Sequence, residues 1–308
     1  MNKAPFDPSI SNPEPPRSGA LYALAAYGLW GLLPLYWKAL HGIPLGQVLA
    51  HRVLWSLVTI LALLIATGGL ADFRLALVDR RKRYLLGLSS LLIGANWSIY
   101  ILAVYRGELV QASLGYYINP LMSVGLGVAV LGERLNRLQM AAVALAGVGV
   151  VCLGMQHQGL PWVALGLAFS FAFYGFVKKK VHVDSLAGLG VETLWLAPMA
   201  AGYLAWLAAG HVPDAFTQGA HPAALLIGTG LVTLAPLFFF NGAAKRLPLS
   251  TLGFFQYLSP TIQLAMAVVW FHEPFTRWHG VAFGLIWAAL GLFTCGSRMK
   301  AKAASPLG

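Results

Sequence analysis

Charge is what this sequence has least of: only 10% of its 308 residues are Asp, Glu, Lys or Arg, and just ten of them are acidic. Soluble domains carry about a quarter charged residues, so a solvated globular fold is excluded. Cysteine is nearly absent as well. Cys152 and Cys295 both fall in apolar runs, which points to buried free thiols and away from a disulfide framework or a thiolate metal site. No glycine-rich phosphate loop of the Walker type is present, which removes direct use of ATP. The histidines form no HExxH pair and no paired aspartates lie in an apolar run, so an intramembrane enzyme lacks its parts. No motif calls for a cofactor or a metal. A polar stretch long enough to build a soluble receptor domain is missing too.

Long apolar runs are what the sequence has instead. With 58% of residues apolar and a mean hydropathy of +0.70, stretches of about 20 residues recur along nearly the whole chain, the length that crosses roughly 30 Å of hydrocarbon as helix. The runs are too long, and too uniformly apolar, for barrel strands. The reading is an all-α polytopic membrane protein with ten transmembrane helices, at residues 19–38, 46–68, 84–105, 109–130, 138–156, 160–178, 186–209, 222–242, 250–271 and 279–296. Residues 1–18, rich in proline, read as a polar N-terminal tail and not a cleaved signal. Residues 298–308 read as a cytoplasmic tail.

Orientation follows from the cations, because cytoplasmic loops retain Lys and Arg. With both termini inside, seventeen of the 21 cations fall on the inner side; only Lys38, Arg106 and Arg277 fall outside, and Arg52 lies within a span. The net charge of +11 is thus a topology signal and a contact with anionic lipid, not a nucleic-acid footprint.

A duplication organises the spans. Tyr117, Pro120, Glu133 and Arg137 recur as Tyr257, Pro260, Glu273 and Arg277, each pair offset by 140. Residues 19–156 and 157–297 therefore form two five-helix repeats, and an odd number of spans per repeat inverts the second copy in the membrane. Inverted repeats of this kind build substrate sites near the midplane and alternate the side that is open.

Several strings bring a family into view: His51-Arg52 with Trp55-Ser56, Gly94 to Trp97 (GANW), Ala112 to Pro120 (ASLGYYINP), Leu131 to Arg134 (LGER), Gly166 to Gly175 (GLAFSFAFYG) with Lys178 to Lys180, Glu192 to Pro198 (ETLWLAP) and Ser250 to Tyr257 (STLGFFQY). Over about residues 20–298 the chain resembles the RarD-type transporters of the EamA family, within the drug/metabolite transporter superfamily. The resemblance implies a ten-helix carrier of the bacterial inner membrane that exports small organic metabolites or drugs. The family pattern usually has an acidic residue where this chain has Gln47, and often another where it has Gln111. Carboxylate-based coupling at those two positions is therefore not carried over.

Arg52 and Glu192 are the ionisable side chains, histidines aside, that lie clearly inside spans. They too are related by the offset of 140. Facing lipid, each would cost about 2.5–3.5 kcal/mol or more, so both must face protein or water. Two readings stand. In one, Glu192 anchors substrate or couples to protons while Arg52 contacts an anionic group or depresses a neighbour's pKa, with His51 as a relay; in the other, all three belong to structural networks. Inversion leaves an axial gap on the order of 10 Å between Arg52 and Glu192, which only helix tilt could close into an ion pair.

A cavity for the small-molecule substrate is expected from aromatic and amide side chains near the repeat interface: Trp30, Asn96, Trp97, Tyr100, Tyr117, Asn119, Tyr174, Asn241, Gln256 and Tyr257. The competing reading is interfacial aromatic belts and interhelical hydrogen bonds. Pro120 and Pro260, related by the repeat, are expected to bend their helices and gate the path. Ladders of small residues, Ala142 and Ala146 in one span and Gly280, Gly284 and Ala288 in another, suggest scaffold helices and a surface for a homodimer. Glu133 and Glu273 are expected as boundary markers or interfacial ion pairs.

Overall fold

A computed structural model describes residues 16–131, 135–156, 161–181, 183–244, 246 and 255–304. Among them no strand occurs. The α-helices bounded within the described residues are α1 (Pro16–Ala39), α2 (Leu45–Thr67), α3 (Leu70–Val78), α4 (Arg80–Arg106), α5 (Leu109–Leu131), α6 (Arg137–Gln156), α7 (Trp162–Lys180), α8 (Ser185–Trp206), α9 (Ala220–Ala244), α10 (Leu258–Ala265) and α11 (Arg277–Ala304). Wide π turns at Leu207–His211 and Met266–Trp270 extend α8 and α10, and a 3₁₀ turn at Ala215–Thr217 precedes α9.

Six of these, α1, α2, α4, α8, α9 and α11, contain described segments long and apolar enough to cross a bilayer; α6, α7 and α10 contribute shorter apolar segments among the described residues. The chain is an all-helical, polytopic membrane protein. Its outer surface agrees, since Leu21, Ile65, Met199, Leu231, Val269 and Trp270 are each more than 60% exposed, a pattern at home in lipid and costly in water. The short α3 was not foreseen. At nine residues it is too brief to span anything, and it packs Phe73 and Ala76 onto the end of the bundle formed by α2, α4 and α8.

Helix ends are set by a few polar residues. Asp79 caps α4 by accepting from the Lys82 amide (3.0 Å), and Asp184 caps α8 by accepting from the Leu186 and Ala187 amides (2.9 and 3.2 Å). Gly68 and Gly107 close α2 and α4 at φ 74° and 69°, the left-handed conformation that glycine adopts without strain.

Contacts come in matched pairs under the 140-residue offset. α1 packs on α9 as α7 packs on α4, α1 on α10 as α7 on α5, and α2 on α9 as α8 on α4; the counterparts α2 and α8, α5 and α10, and α6 and α11 touch each other. Contacts between helices of the first and second halves of the chain therefore recur in reciprocal pairs.

Not every small-residue expectation holds. α6 and α11 do pack closely, with Ala142 and Ala146 buried, and a methyl group at Gly149 would come within 3.2 Å of the Ala282 carbonyl oxygen. On α11, however, the packing face is Ala282, Ile286 and Ala289, while Gly284 has open space around it. Cys295 shares the outward side: both thiols are free, but Cys152 is half-buried and Cys295 exposed, against the expected burial. Pro260 also differs. It lies in the first turn of α10 and not in a helix interior, where its missing N–H removes no bond. Pro120 falls within α5, with its side chain outside the described residues, as does the whole of Glu133.

Candidate functional site

Arg52 projects from α2 into a cage drawn from both halves. Its guanidinium carbon lies 4.7 Å from the Trp37 ring centre and 4.1 Å from that of Trp97, so two indoles flank it. Nε donates to Thr233 Oγ1 on α9 (3.2 Å), whose hydroxyl is itself committed to the Thr229 carbonyl (2.8 Å). Tyr100 and Tyr116, with ring centres 5.7 Å apart, lie within electrostatic reach of the guanidinium. The group is 5% exposed, and no carboxylate pairs with it among the described residues. Desolvated cation–π contacts are worth about 2 kcal/mol each, enough to hold the charge in place but not to satisfy its N–H groups.

Glu192, on α8, is provisioned differently. Its carboxylate, on a residue 1% exposed, accepts from Lys178 Nζ (3.0 Å), Ser89 Oγ (2.6 Å) and the Tyr174 hydroxyl (3.2 Å). This ties α8 to α4 and α7. Because Arg52 meets α4 at Trp97 and Glu192 meets it at Ser89, eight residues earlier, the two sites stand about 12 Å apart along that helix. The expected axial gap is present, and Lys178, not Arg52, is the partner of Glu192.

His51 turns away from the Arg52 cage. Its Nε2 lies 3.2 Å from Asp214 Oδ1, and its ring stacks on Phe216 at 5.2 Å. One turn earlier, Gln47 Nε2 donates to the Pro213 carbonyl (2.9 Å) while its Oε1 accepts from the Ala215 amide (2.9 Å). The start of α2 is thereby latched to the loop between α8 and α9.

The aromatic and amide candidates divide. Trp97 and Tyr100 line the Arg52 cage and Tyr174 joins Glu192. Asn96 donates to the Leu167 carbonyl (3.1 Å) and Ser170 Oγ (2.9 Å), an α4–α7 fastening of the kind the competing reading describes. Tyr117 stacks on its repeat counterpart Tyr257, centres 6.1 Å apart and planes at 12°, and its hydroxyl bonds Thr261 Oγ1 at 2.5 Å. Ser113 Oγ donates to the Pro260 carbonyl nearby (2.7 Å). Trp30 packs with Tyr27 and Phe240 at the α1–α9 contact, away from the residues caging Arg52. Asn119 is buried with its Oδ1 lacking a protein partner, Gln256 is half-buried, and the Asn241 side chain lies outside the described residues.

Glu273 forms no ion pair among the described residues. It is a cap: its two carboxylate oxygens accept from the Leu109 and Val110 amides (3.0 and 2.9 Å), the start of α5. Burial pushes its pKa above the ordinary carboxylate value, the two amides and Lys38 pull it back only in part, and Glu108 adds to the rise. Trp37, Thr233, Ser89 and Asp214 were not singled out in the sequence. Ser89 and Thr229 are related by the offset of 140, but neither stands in a motif of the sequence, so none of the four carried a signal there.

The profile of the EamA-like transporter family matches this chain twice, over residues 17–155 and 159–295. A protein named RarD from Streptomyces exfoliatus is 44% identical over 299 residues, covering 94% of each chain. An uncharacterized transporter of Vibrio cholerae is 45% identical over 279 residues, 90% of this chain and 92% of its own. A crystal structure at 20% identity superposes with a TM-score of 0.59 over 91% of this chain and 98% of that one, which supports the fold alone. The relatives carry transporter names, and such a protein works in a lipid bilayer on a small molecule. This chain is therefore a membrane transporter that belongs to the EamA family, within the drug/metabolite transporter superfamily.

Proposed function

We propose that this protein is a secondary active transporter of the bacterial inner membrane that exports small organic metabolites or drugs by alternating access, coupled to protons at Glu192. The observation that carries the proposal is the pair of buried charges at repeat-related positions, Arg52 and Glu192, standing at different depths against one helix. A carrier needs polar contacts at two depths that are made and broken in turn. In this reading ten crossings form two inverted repeats, residues 19–156 and 157–297, and both termini face the cytoplasm, an orientation the cation distribution supports. Pro120 and Pro260 stay as candidate gates. A second copy of the chain would pack against the open face of α11 at Gly284.

Protonating Glu192 removes its charge attraction for Lys178 and loosens α8 from α7, leaving the Tyr174 hydrogen bond, while deprotonation restores the full tie. The test is transport into proteoliposomes of a mixed panel of amino acids, nucleosides, aromatic acids and chloramphenicol, with and without an imposed pH gradient. Wild-type protein is expected to concentrate one class when the gradient is present. Glu192→Gln is expected to retain exchange and lose gradient-driven accumulation; normal accumulation by this variant would rule out its coupling role. The Lys178 contact also favours a second reading, an uncoupled exchanger, because it already neutralises the carboxylate. That reading predicts counterflow without accumulation in the wild type.

A further inference from the structure

The Arg52 cage contains more donors than the protein has acceptors for. Arg52 Nη1, Trp37 Nε1, the Tyr100 hydroxyl and Ser56 Oγ are all closed off from solvent, and none has a hydrogen-bond partner in the protein. They share one neighbourhood. Trp37 stacks on the guanidinium, Tyr100 lies one turn beyond Trp97 on α4, and Ser56 lies one turn beyond Arg52 on α2. An unpaired buried donor costs about 1–3 kcal/mol, more when charged, and four in one place are not a structural economy. Groups that fasten helices look different: Gln47 and Asn96 find protein partners within hydrogen-bonding distance.

We propose that this cluster is the recognition site for the transported solute, and that the solute is an organic monocarboxylate with an aromatic or otherwise flat apolar body. The inference rests on the transport reading and names its substrate class. One guanidinium without a carboxylate partner balances one negative charge. A dianionic phosphate would leave a second charge unmatched, since no Lys or other Arg shares the cage among the described residues. Carboxylate oxygens suit the fork of N–H groups that Thr233 leaves open, with the indole N–H, phenol and serine hydroxyl as further donors. The apolar body would lie along the rings of Trp37, Trp97, Tyr100 and Tyr116. Thr233 comes from the second repeat and the other residues from the first, so binding there reports on the relation of the two halves, as a carrier requires.

The test uses the purified full-length chain, with thermal unfolding in detergent as the readout and benzoate, phenylacetate and indole-3-acetate, their amides, and phenyl phosphate as probes at about 10 mM. The carboxylates are expected to raise the unfolding midpoint and the amides to leave it nearly unchanged. Tyr100→Phe should weaken carboxylate binding about fivefold to tenfold. Arg52→Lys should keep the preference for carboxylate over amide at lower affinity. Arg52→Met should abolish the response while melting at or above the wild-type midpoint, because an apolar replacement of similar length removes an uncompensated buried charge. Equal stabilisation by amides, no response to any of the three carboxylates, or tighter binding of phenyl phosphate would each overturn the proposal. So would an Arg52→Met variant that melts well below wild type yet keeps its carboxylate response, which is the mark of a structural residue. Counterflow separates this failure from that of the transport reading: a protein that exchanges neutral solutes equally well with and without Arg52→Met is a carrier whose substrate is not an anion.

Discussion

Acidic side chains are few in this chain, and five of the ten have visible work. Asp79, Asp184 and Asp214 cap helical turns, Glu273 caps α5 across a separation of 164 residues, and Glu192 holds the α4–α7–α8 network. Glu273 gives a signed pH prediction. Its folded pKa lies above the ordinary 4.5 because burial disfavours the charge. The folded state therefore holds the proton more tightly than the unfolded chain, and stability from this group is present at low pH and lost as pH rises through the raised value. Thermal unfolding of the wild type in detergent should shift to lower temperature over the range just above pH 4.5, and Glu273→Gln should not show that component. A second residue-scale expectation concerns Asn96. Bonded to two groups on α7, it should cost about 0.6–1.7 kcal/mol when changed to alanine, the range of interhelical hydrogen bonds in membranes. A lowered unfolding midpoint with unchanged solute affinity is the expected result; a large affinity loss without destabilisation would return Asn96 to the cavity.

Packing between helices is set by where side chains are missing. Gly230 lets α9 rest on α2 so closely that a methyl group there would stand 2.5 Å from the Trp55 carbonyl oxygen, and one at Gly115 on α5 would stand 2.7 Å from the Ala164 carbonyl oxygen on α7. Backbone cannot yield as a flexible side chain can. Gly230→Ala and Gly115→Ala should each destabilise by about 1–3 kcal/mol, whereas Gly284→Ala, which meets open space, should be neutral or mildly stabilising. Unfolding midpoints of the three variants give the comparison, and equal effects would contradict the close approach. At this scale much was legible in the sequence. The apolar runs located the long helices, since only a helix satisfies its backbone inside a bilayer, and the offset of 140 foretold the matched contacts of the two halves. What the sequence hid has a physical pattern. α3 is too short to carry a spanning signal, and Gly280, Gly284 and Ala288 looked like a packing ladder because spacing alone does not say which face of a helix is covered. The ionisable residues of the site stood out because a charge in an apolar run is rare. Most of their partners did not: Trp37, Ser89, Thr233 and Asp214 are ordinary residues until the fold brings them from other elements.

For the whole molecule, the two ends of the bundle are fastened by different chemistry. At the end where α2 begins, Gln47 and His51 bind the 213–216 segment, the Tyr105 hydroxyl donates to the Leu40 carbonyl at 2.5 Å, and the Tyr36 hydroxyl donates to the Leu225 carbonyl. Towards the other end, Lys178, Ser89 and Tyr174 gather on Glu192. If access alternates, loosening one end and loosening the other must act in opposite directions on what each side can reach. Ser56, buried beside Arg52, is the place to read this. In protein with Cys152 and Cys295 changed to serine, a Ser56→Cys thiol should react slowly with a membrane-impermeant maleimide applied from the face that carries Asp214. Adding Gln47→Ala removes both bonds of the latch, roughly 1–3 kcal/mol in total, which should speed labelling from that face by about tenfold or more. Lys178→Met in place of Gln47→Ala should slow labelling from that face below the Ser56→Cys rate while increasing access from the opposite face, because Glu192 then loses its cation and the tie of α7 to α8 loosens. Equal acceleration from both faces by either change would mean general loosening of the bundle, and the two fastenings would then be packing devices, not the two gates of a carrier.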